Sequence, residues 1–225
     1  MDNKQTGRFI GAFVLIQLAM GISLNMVLTA PLFAEGGYLL TAAAHGRQLG
    51  ASVLLALLNG GLTLAIAILA FGLIQKRSQA WALSLLSLSI LGVGLSAMEQ
   101  VGILAMRDFS EAYAAGDAEQ QGLLASLAVA GSALRNGAHY VGLLISGATL
   151  GVWYLILLRY SLLPRPLAAF GLLAVSLQLY AISQPILGGH VLFIILAPLA
   201  LAELLQGGWL LAFGFPDEGS NDSTV

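Results

Sequence analysis

Cysteine is absent from the 225 residues, which excludes disulfides, thiolate metal sites and a catalytic thiol. Charge is scarce as well: Asp, Glu, Lys and Arg make up 9% of the chain, against about 25% in an ordinary soluble domain. Together with a mean hydropathy of +0.89, this excludes a soluble globular protein. The nine basic residues are outnumbered by eleven acidic ones and form no stripe. The counterion-releasing surface that nucleic acid requires is therefore missing, and no nucleic-acid partner is expected. Gly-x-Gly-x-x-Gly and Gly-x-x-x-x-Gly-Lys-Ser/Thr loops are lacking, which removes the common nucleotide sites. No Gly-x-Ser-x-Gly elbow and no His-Glu-x-x-His helix occurs, so neither a serine hydrolase nor an intramembrane zinc protease is indicated. Nothing in the chain asks for an enzyme.

What remains is hydrophobic sequence, 58% of the chain, and the charges are placed so as to leave it uninterrupted. Charge-free gaps run between Arg8 and Glu35, Arg47 and Lys76, Arg77 and Glu99, Arg135 and Arg159, and Arg165 and Glu203. A bilayer-spanning helix needs about 20 mostly apolar residues, because about 30 Å of hydrocarbon is crossed at about 1.5 Å per residue. Six spans fit: Ile10 to Pro31, Gly50 to Gln75, Gln79 to Ala105, Asn136 to Leu158, Leu167 to Ser183, and Leu187 to Phe213. The last two share one gap, divided by Ser183-Gln184-Pro185 and by Gly188-Gly189. The expected fold is an all-α polytopic transmembrane bundle of six spans. Residues 1–214 form a single domain, and a disordered tail follows over 215–225, where no apolar period is found.

Lys and Arg in short loops mark the cytoplasmic side. Lys4 and Arg8, Lys76 and Arg77, and Arg159 and Arg165 fall on one side, which places both termini in the cytoplasm and Trp81, Trp153 and Trp209 toward the inner interface. The opposite side carries Arg47, Arg107 and Arg135 among Glu35, Asp108, Glu111, Asp117 and Glu119. The first span is longer than the apolar core of a signal peptide and is read as uncleaved. The sizeable polar connection, an outer loop over 107–135, has a helix start at Asp117 with Gln120 three residues on. Leu123, Leu124, Leu127 and Leu134 then recur at helical spacing, as a helix on the outer membrane face or as an extension of the fourth span. Gly92, Gly94, Ser96, Ala97, Gly147 and Gly151 allow close helix packing.

Two stretches resemble a known family. Pro164-Arg165-Pro166-Leu167 with Gly171 is similar to the Pro-Arg-x-Leu signature of the bacterial domain-of-unknown-function family 4386. Pro198, Glu203, Trp209-Leu210-Leu211 and Gly214 keep the spacing of that family's closing pattern, and Arg8-x-x-Gly11 and Arg47-x-x-Gly50 also resemble it. Ala168, and Ile145-Ser146-Gly147, depart from the pattern. The resemblance implies a six-helix integral membrane protein, and the family carries no assigned activity.

Few residues stand out for chemistry. Glu203 is an acid inside the sixth span, about 24 Å from its outer end, at an insertion cost of roughly 2.5 to 3.5 kcal/mol. Gln206 one turn on, Asn59 in the second span, and Arg159 and Arg165 are its candidate partners. It reads either as a hydrogen-bonded packing group or as a carboxylate that handles protons or cations. Glu99 lies about 9 Å from the outer end of the third span, too far from Glu203 in depth for a paired-carboxylate site. His45, His139 and His190 form a layer at the outer face, with Glu99 slightly deeper and Met26, Met98 and Met106 in the same half. That donor set suits Zn, Cu or a haem iron if the side chains converge, and otherwise three interfacial histidines reaching for water or a pH sensor.

The expected function is an accessory, sensor or structural component of the bacterial cytoplasmic membrane, with the lipid bilayer as its partner and no resident cofactor. A membrane-protein partner or a homo-oligomer stays open. The alternatives are a small-solute or ion permease using Glu203, Glu99 and Asn59, and a metal or haem redox protein built on the histidine layer.

Overall fold

The computed structural model describes residues 2–216, and these fold as helices and their connections. Helix α1 runs Asn3–Ser23. It begins where the Asp2 carboxylate accepts the Gln5 N–H at 2.6 Å, an N-cap that satisfies a donor the helix cannot. A π-helical turn, Leu24–Leu28, and a 3₁₀ turn, Ala30–Phe33, continue it. Short helix α2 covers Tyr38–Thr41, and a 3₁₀ turn over Ala43–His45 leads into α3, Gly46–Ile74. Helices α4, Gln79–Ala115, and α5, Ala118–Arg159, follow with only Gly116 and Asp117 between them. Helix α6 covers Arg165–Ile186, and α7 covers Ala197–Phe213 after a 3₁₀ turn over Phe193–Leu196. Among the described residues, six helices are long and apolar enough to cross a membrane.

The six spans are where hydropathy placed them, but several boundaries differ. The third and fourth helices are much longer than their apolar cores, so the expected polar loop over 107–135 is helix on both sides of a two-residue turn. The segment extends the fourth span instead of lying on the membrane face. Hydropathy marks the stretch that fits hydrocarbon, whereas helix continues wherever nothing stops it. No proline occurs from Gln79 to Leu163, and Asp117 caps α5 by accepting the Gln120 N–H at 3.0 Å. The sixth helix starts later than Leu187. Helix α6 runs through Pro185 to Ile186. Two residues on stands Gly188, whose φ of 86° only glycine adopts freely and beside which Gly189 N–H returns to the Gln184 carbonyl at 2.8 Å. Finally, Phe215, the first residue of the expected tail, is buried and its ring meets Trp153 edge-on at 6.4 Å. Residues 217–225 of that tail lie outside the described residues.

The chain divides into two compact units. Within the described residues the first comprises residues 2–18, Leu62–Gly92 and residues 143–216. Its core is built on Ile10, Ile74, Tyr154, Ile156, Leu157 and Leu210. Helices α1 and α7 run antiparallel there with their backbones in contact. A side chain at Gly7 would strike Phe215 and Gly214, one at Gly11 would strike Leu210 and Leu211, and one at Gly207 would strike Leu15. Gly214 lies against Lys4, so the two ends of the described chain meet at one end of this unit. Trp153 is only 5% exposed, so it is a core residue and not an interfacial one.

The second unit comprises Ala19–Gly61 and Val93–Gly142, packed around Leu32, Tyr38, Leu49, Val53, Ile103, Met106 and Ala128. Polar side chains lock its connections. Gln48 donates to the carbonyls of Val27 and Leu28 at 2.8 and 3.3 Å, serving the end of the π turn. Ser110 donates to the Leu39 carbonyl and accepts the Ala43 N–H. Tyr38 donates to the Ala128 carbonyl at 3.1 Å. Burial pushes the Tyr38 hydroxyl above its ordinary range, against a lowering hydrogen bond with Ser132, which keeps it a neutral donor.

Candidate functional site

Of the residues singled out from sequence, Glu99 and His139 come together, and they do so around a residue that was not singled out, Arg135. Glu99 sits on α4, while Arg135 and His139 lie one turn apart on α5. Arg135 donates to Glu99 Oε1 at 2.5 Å, and His139 Nδ1 lies 3.0 Å from the same oxygen. The Arg135 side chain is 6% exposed and the Glu99 side chain 14%, so the pair is shielded on the protein side. Two features let the guanidinium reach. Gly102, three residues after Glu99, gives α5 its seat, since a Cβ there would lie 2.9 Å from Arg135 Cβ. Phe33, at the end of the first 3₁₀ turn, covers the guanidinium with its ring centre 5.2 Å away, a cation–π contact. Asn136 takes a further Arg135 N–H at 3.2 Å. Arg135 therefore fastens α4, α5 and the Ala30–Phe33 turn with one side chain.

The energetics explain the pairing. Either charge alone in hydrocarbon costs roughly 2.5 to 3.5 kcal/mol on insertion scales, and a hydrogen-bonded pair removes most of that cost by presenting no net charge. His139 supplies its Nδ1 to the carboxylate, the arrangement that fixes an imidazole's tautomer and leaves Nε2 as its free nitrogen. Near this cluster Arg135 Nε and Gln100 Oε1 are buried without a hydrogen-bond partner among the described residues.

The other histidines do not join it. His45 lies in the 3₁₀ turn before α3, exposed, with Nδ1 2.9 Å from the Thr41 carbonyl. His190 is not a turn into the sixth helix but in the non-helical stretch between α6 and the last 3₁₀ turn, also exposed. Among the described residues no three His, Cys, Asp or Glu side chains are grouped to hold a metal ion. Met106 is buried, whereas Met26 and Met98 are exposed. An open depression of about 750 Å³ in the second unit is lined by His45, Arg47, Gln48, Arg107 and Glu111. Arg107 is already met there by Asp108 at 2.6 Å and by Glu111 at 3.6 Å.

The remaining polar candidates divide between the units. Asn59 lies on α3 in the second unit. Glu203, half-buried, and Gln206, fully buried, lie on α7 in the first. Arg159 and Arg165, named as possible partners of Glu203, are exposed at the ends of α5 and α6. Tyr154 on α5 was missed altogether. It is fully buried, and its hydroxyl has no hydrogen-bond partner among the described residues. An aromatic inside an apolar run gives no sequence signal of such a position.

Six apolar helices with one charged pair buried inside a span define a multi-pass integral membrane protein of the all-helical class. The model of a family described as Domain of unknown function (DUF4386) matches residues 9–214, nearly the whole chain, and the protein belongs to that family. No curated protein and no solved structure is similar enough to the chain to match it.

Proposed function

We propose that this is an accessory or sensor component of the bacterial cytoplasmic membrane, with both termini on the cytoplasmic side, and that its intramembrane charge in the second unit serves to hold helices. The carrying observation is the shared oxygen of Glu99. Arg135 and His139 both bind it, and Phe33 and Gly102 close the pair in, which leaves that carboxylate committed to the fold. A cation passing Glu99 would have to compete with the Arg135 guanidinium that already balances the carboxylate's charge. The orientation is supported by Lys4, Arg8, Lys76, Arg77, Arg159 and Arg165, all of which belong to the first unit. The Arg77 guanidinium stacks 5.5 Å from the Tyr160 ring centre, so the α3–α4 and α5–α6 turns meet at one end, as a single cytoplasmic face requires.

The test is reconstitution into liposomes with a proton or alkali-cation gradient. Flux equal to that of protein-free vesicles is the expected result. A protein-dependent flux that Glu203→Gln abolishes, with the variant still folded, would replace this reading with the permease.

A further inference from the structure

The open depression in the second unit shares no residue with the Glu99 cluster. Four of the residues that line it, Ala43, Ala44, Gly46 and Gly50, bring little or no side chain and leave the space clear. A Cβ at Gly46 would come 3.4 Å from Glu111 Oε1 and 3.6 Å from Arg107 Cδ, so the first turn of α3 stands close against those two side chains of α4. The space, about 750 Å³, falls within the range of small-ligand sites, about 300–1,000 Å³.

Its side chains carry both signs. Arg47 is exposed and makes no ion pair among the described residues. Arg107 gives Nε and Nη2 to Asp108, which leaves Nη1 to donate elsewhere. Glu111 meets Arg107 only at 3.6 Å, beyond hydrogen-bond reach, so its oxygens keep room for a donor. His45 binds the Thr41 carbonyl through Nδ1, and a neutral ring then offers Nε2 as an acceptor. One opening thus presents guanidinium donors to an anion and a carboxylate with an imidazole to a cation. A ligand bearing both charges close together satisfies both sets, whereas a simple anion meets Glu111 and a simple cation meets Arg47.

Helix length gives the depth of this opening. Arg47 lies 27 residues before Ile74, the end of α3, and Arg107 lies 28 residues after Gln79, the start of α4. Both stretches measure about 40 to 42 Å along a helix, and a bilayer with its headgroup layers is about 40–45 Å thick. With the α3–α4 turn in one headgroup layer, the depression opens into the other. We propose that it binds the phosphoethanolamine headgroup of a membrane lipid, the phosphate on Arg47 and Arg107 and the ammonium on Glu111 and His45. Charge-assisted hydrogen bonds then form at both ends of the headgroup. A choline headgroup offers the same phosphate without an N–H for Glu111, and a glycerol headgroup offers no cation. The site needs neither a particular orientation nor ion flux, so it stands apart from the accessory reading.

Native mass spectrometry of the delipidated full chain reads the occupant, with phosphatidylethanolamine, phosphatidylcholine and phosphatidylglycerol of the same acyl chains supplied together. The expected result is one retained phosphatidylethanolamine in about tenfold preference, the worth of a single charge-assisted hydrogen bond. Glu111→Gln should abolish the preference over phosphatidylcholine while both still bind, and Arg47→Gln should weaken both. Equal retention by the unaltered chain, a preference for phosphatidylglycerol, or a preference that survives both variants overturns the site. Free phosphoethanolamine that displaces the lipid at equal concentration assigns the opening to a soluble ligand and overturns the lipid. Should either charge variant fail to fold, Gly50→Leu fills the depression without touching a charge, since nothing lies within 4 Å of a Cβ there. It should remove the retained lipid, and undiminished retention overturns the proposal. Flux in liposomes is a separate readout, so the failure of this site and the failure of the accessory reading are distinguishable.

Discussion

The two units solve the same problem, holding helices together in hydrocarbon, by different means. The second uses charge: Glu99, Arg135 and His139 meet on one carboxylate oxygen, and polar side chains at Gln48, Ser110 and Tyr38 tie its connecting turns. The first uses the absence of side chains: Gly7, Gly11, Gly207 and Gly214 bring α1 and α7 into backbone contact, and Gly171 seats a tyrosine. Apolar surface gives helices little reason to associate when lipid is equally apolar, so either close backbone approach or strong polar links must supply the preference. Buried polar atoms without hydrogen-bond partners occur in both units, Arg135 Nε and Gln100 Oε1 in the charged one and Tyr154 Oη and Gln178 Oε1 in the glycine-packed one.

The contrast can be broken most severely at its charged end. Arg135→Met leaves Glu99 buried with the His139 contact alone, and a loss of about 3 kcal/mol is expected, the lower end for broken buried pairs. Thermal unfolding in detergent measures it. The double variant with Glu99→Gln should recover part of the loss, and no recovery would mean that Arg135 acts by packing alone. In the glycine unit, Gly171→Ala drives a methyl into the Tyr154 ring and should cost about 1–3 kcal/mol as overpacking. Adding Tyr154→Leu should lessen that cost in the same melting assay. The smallest effect is expected outside both packing schemes. Asp117→Ala removes the α5 cap at a cost of about 1 kcal/mol and should show first as faster amide exchange around residues 118–121, with the melting temperature of the whole protein barely moved.

The fold was legible in the sequence because a membrane span is written in composition over some twenty residues, and composition is what charge-free gaps report. The hairpin turn at Gly116 was less so. Residues 107–135 contain enough charge to read as a loop, yet they are mostly Ala, Leu, Glu, Gln and Arg, good helix formers. The pairing of Glu99 stayed hidden because the sequence left this segment open between a surface helix and an extension of the fourth span, and only the extension sets Arg135 a turn from His139 on one helix. Had the helical spacing of Leu123, Leu127 and Leu134 been extended through Arg135 to His139, the i, i+4 relation facing Glu99 would have been visible. The start of the last helix was misplaced because Gly188 follows the end of α6 without starting anything, and only the backbone shows how long the extended stretch after it runs.

The lengths of α4 and α5 have a mechanical consequence. At 37 and 42 residues they measure about 55 and 63 Å, against about 30 Å of hydrocarbon. Each therefore carries an arm of about 25 Å or more beyond what the bilayer needs. Such an arm is a lever: a tilt of about 10° about its base displaces the tip at Gly116 by about 4 Å, taking the arm as about 25 Å. With Arg135 fastening α4 and α5 to the turn that bears Phe33 at the base of these arms, small reorientations there are delivered to the tip as movements the size of a side chain.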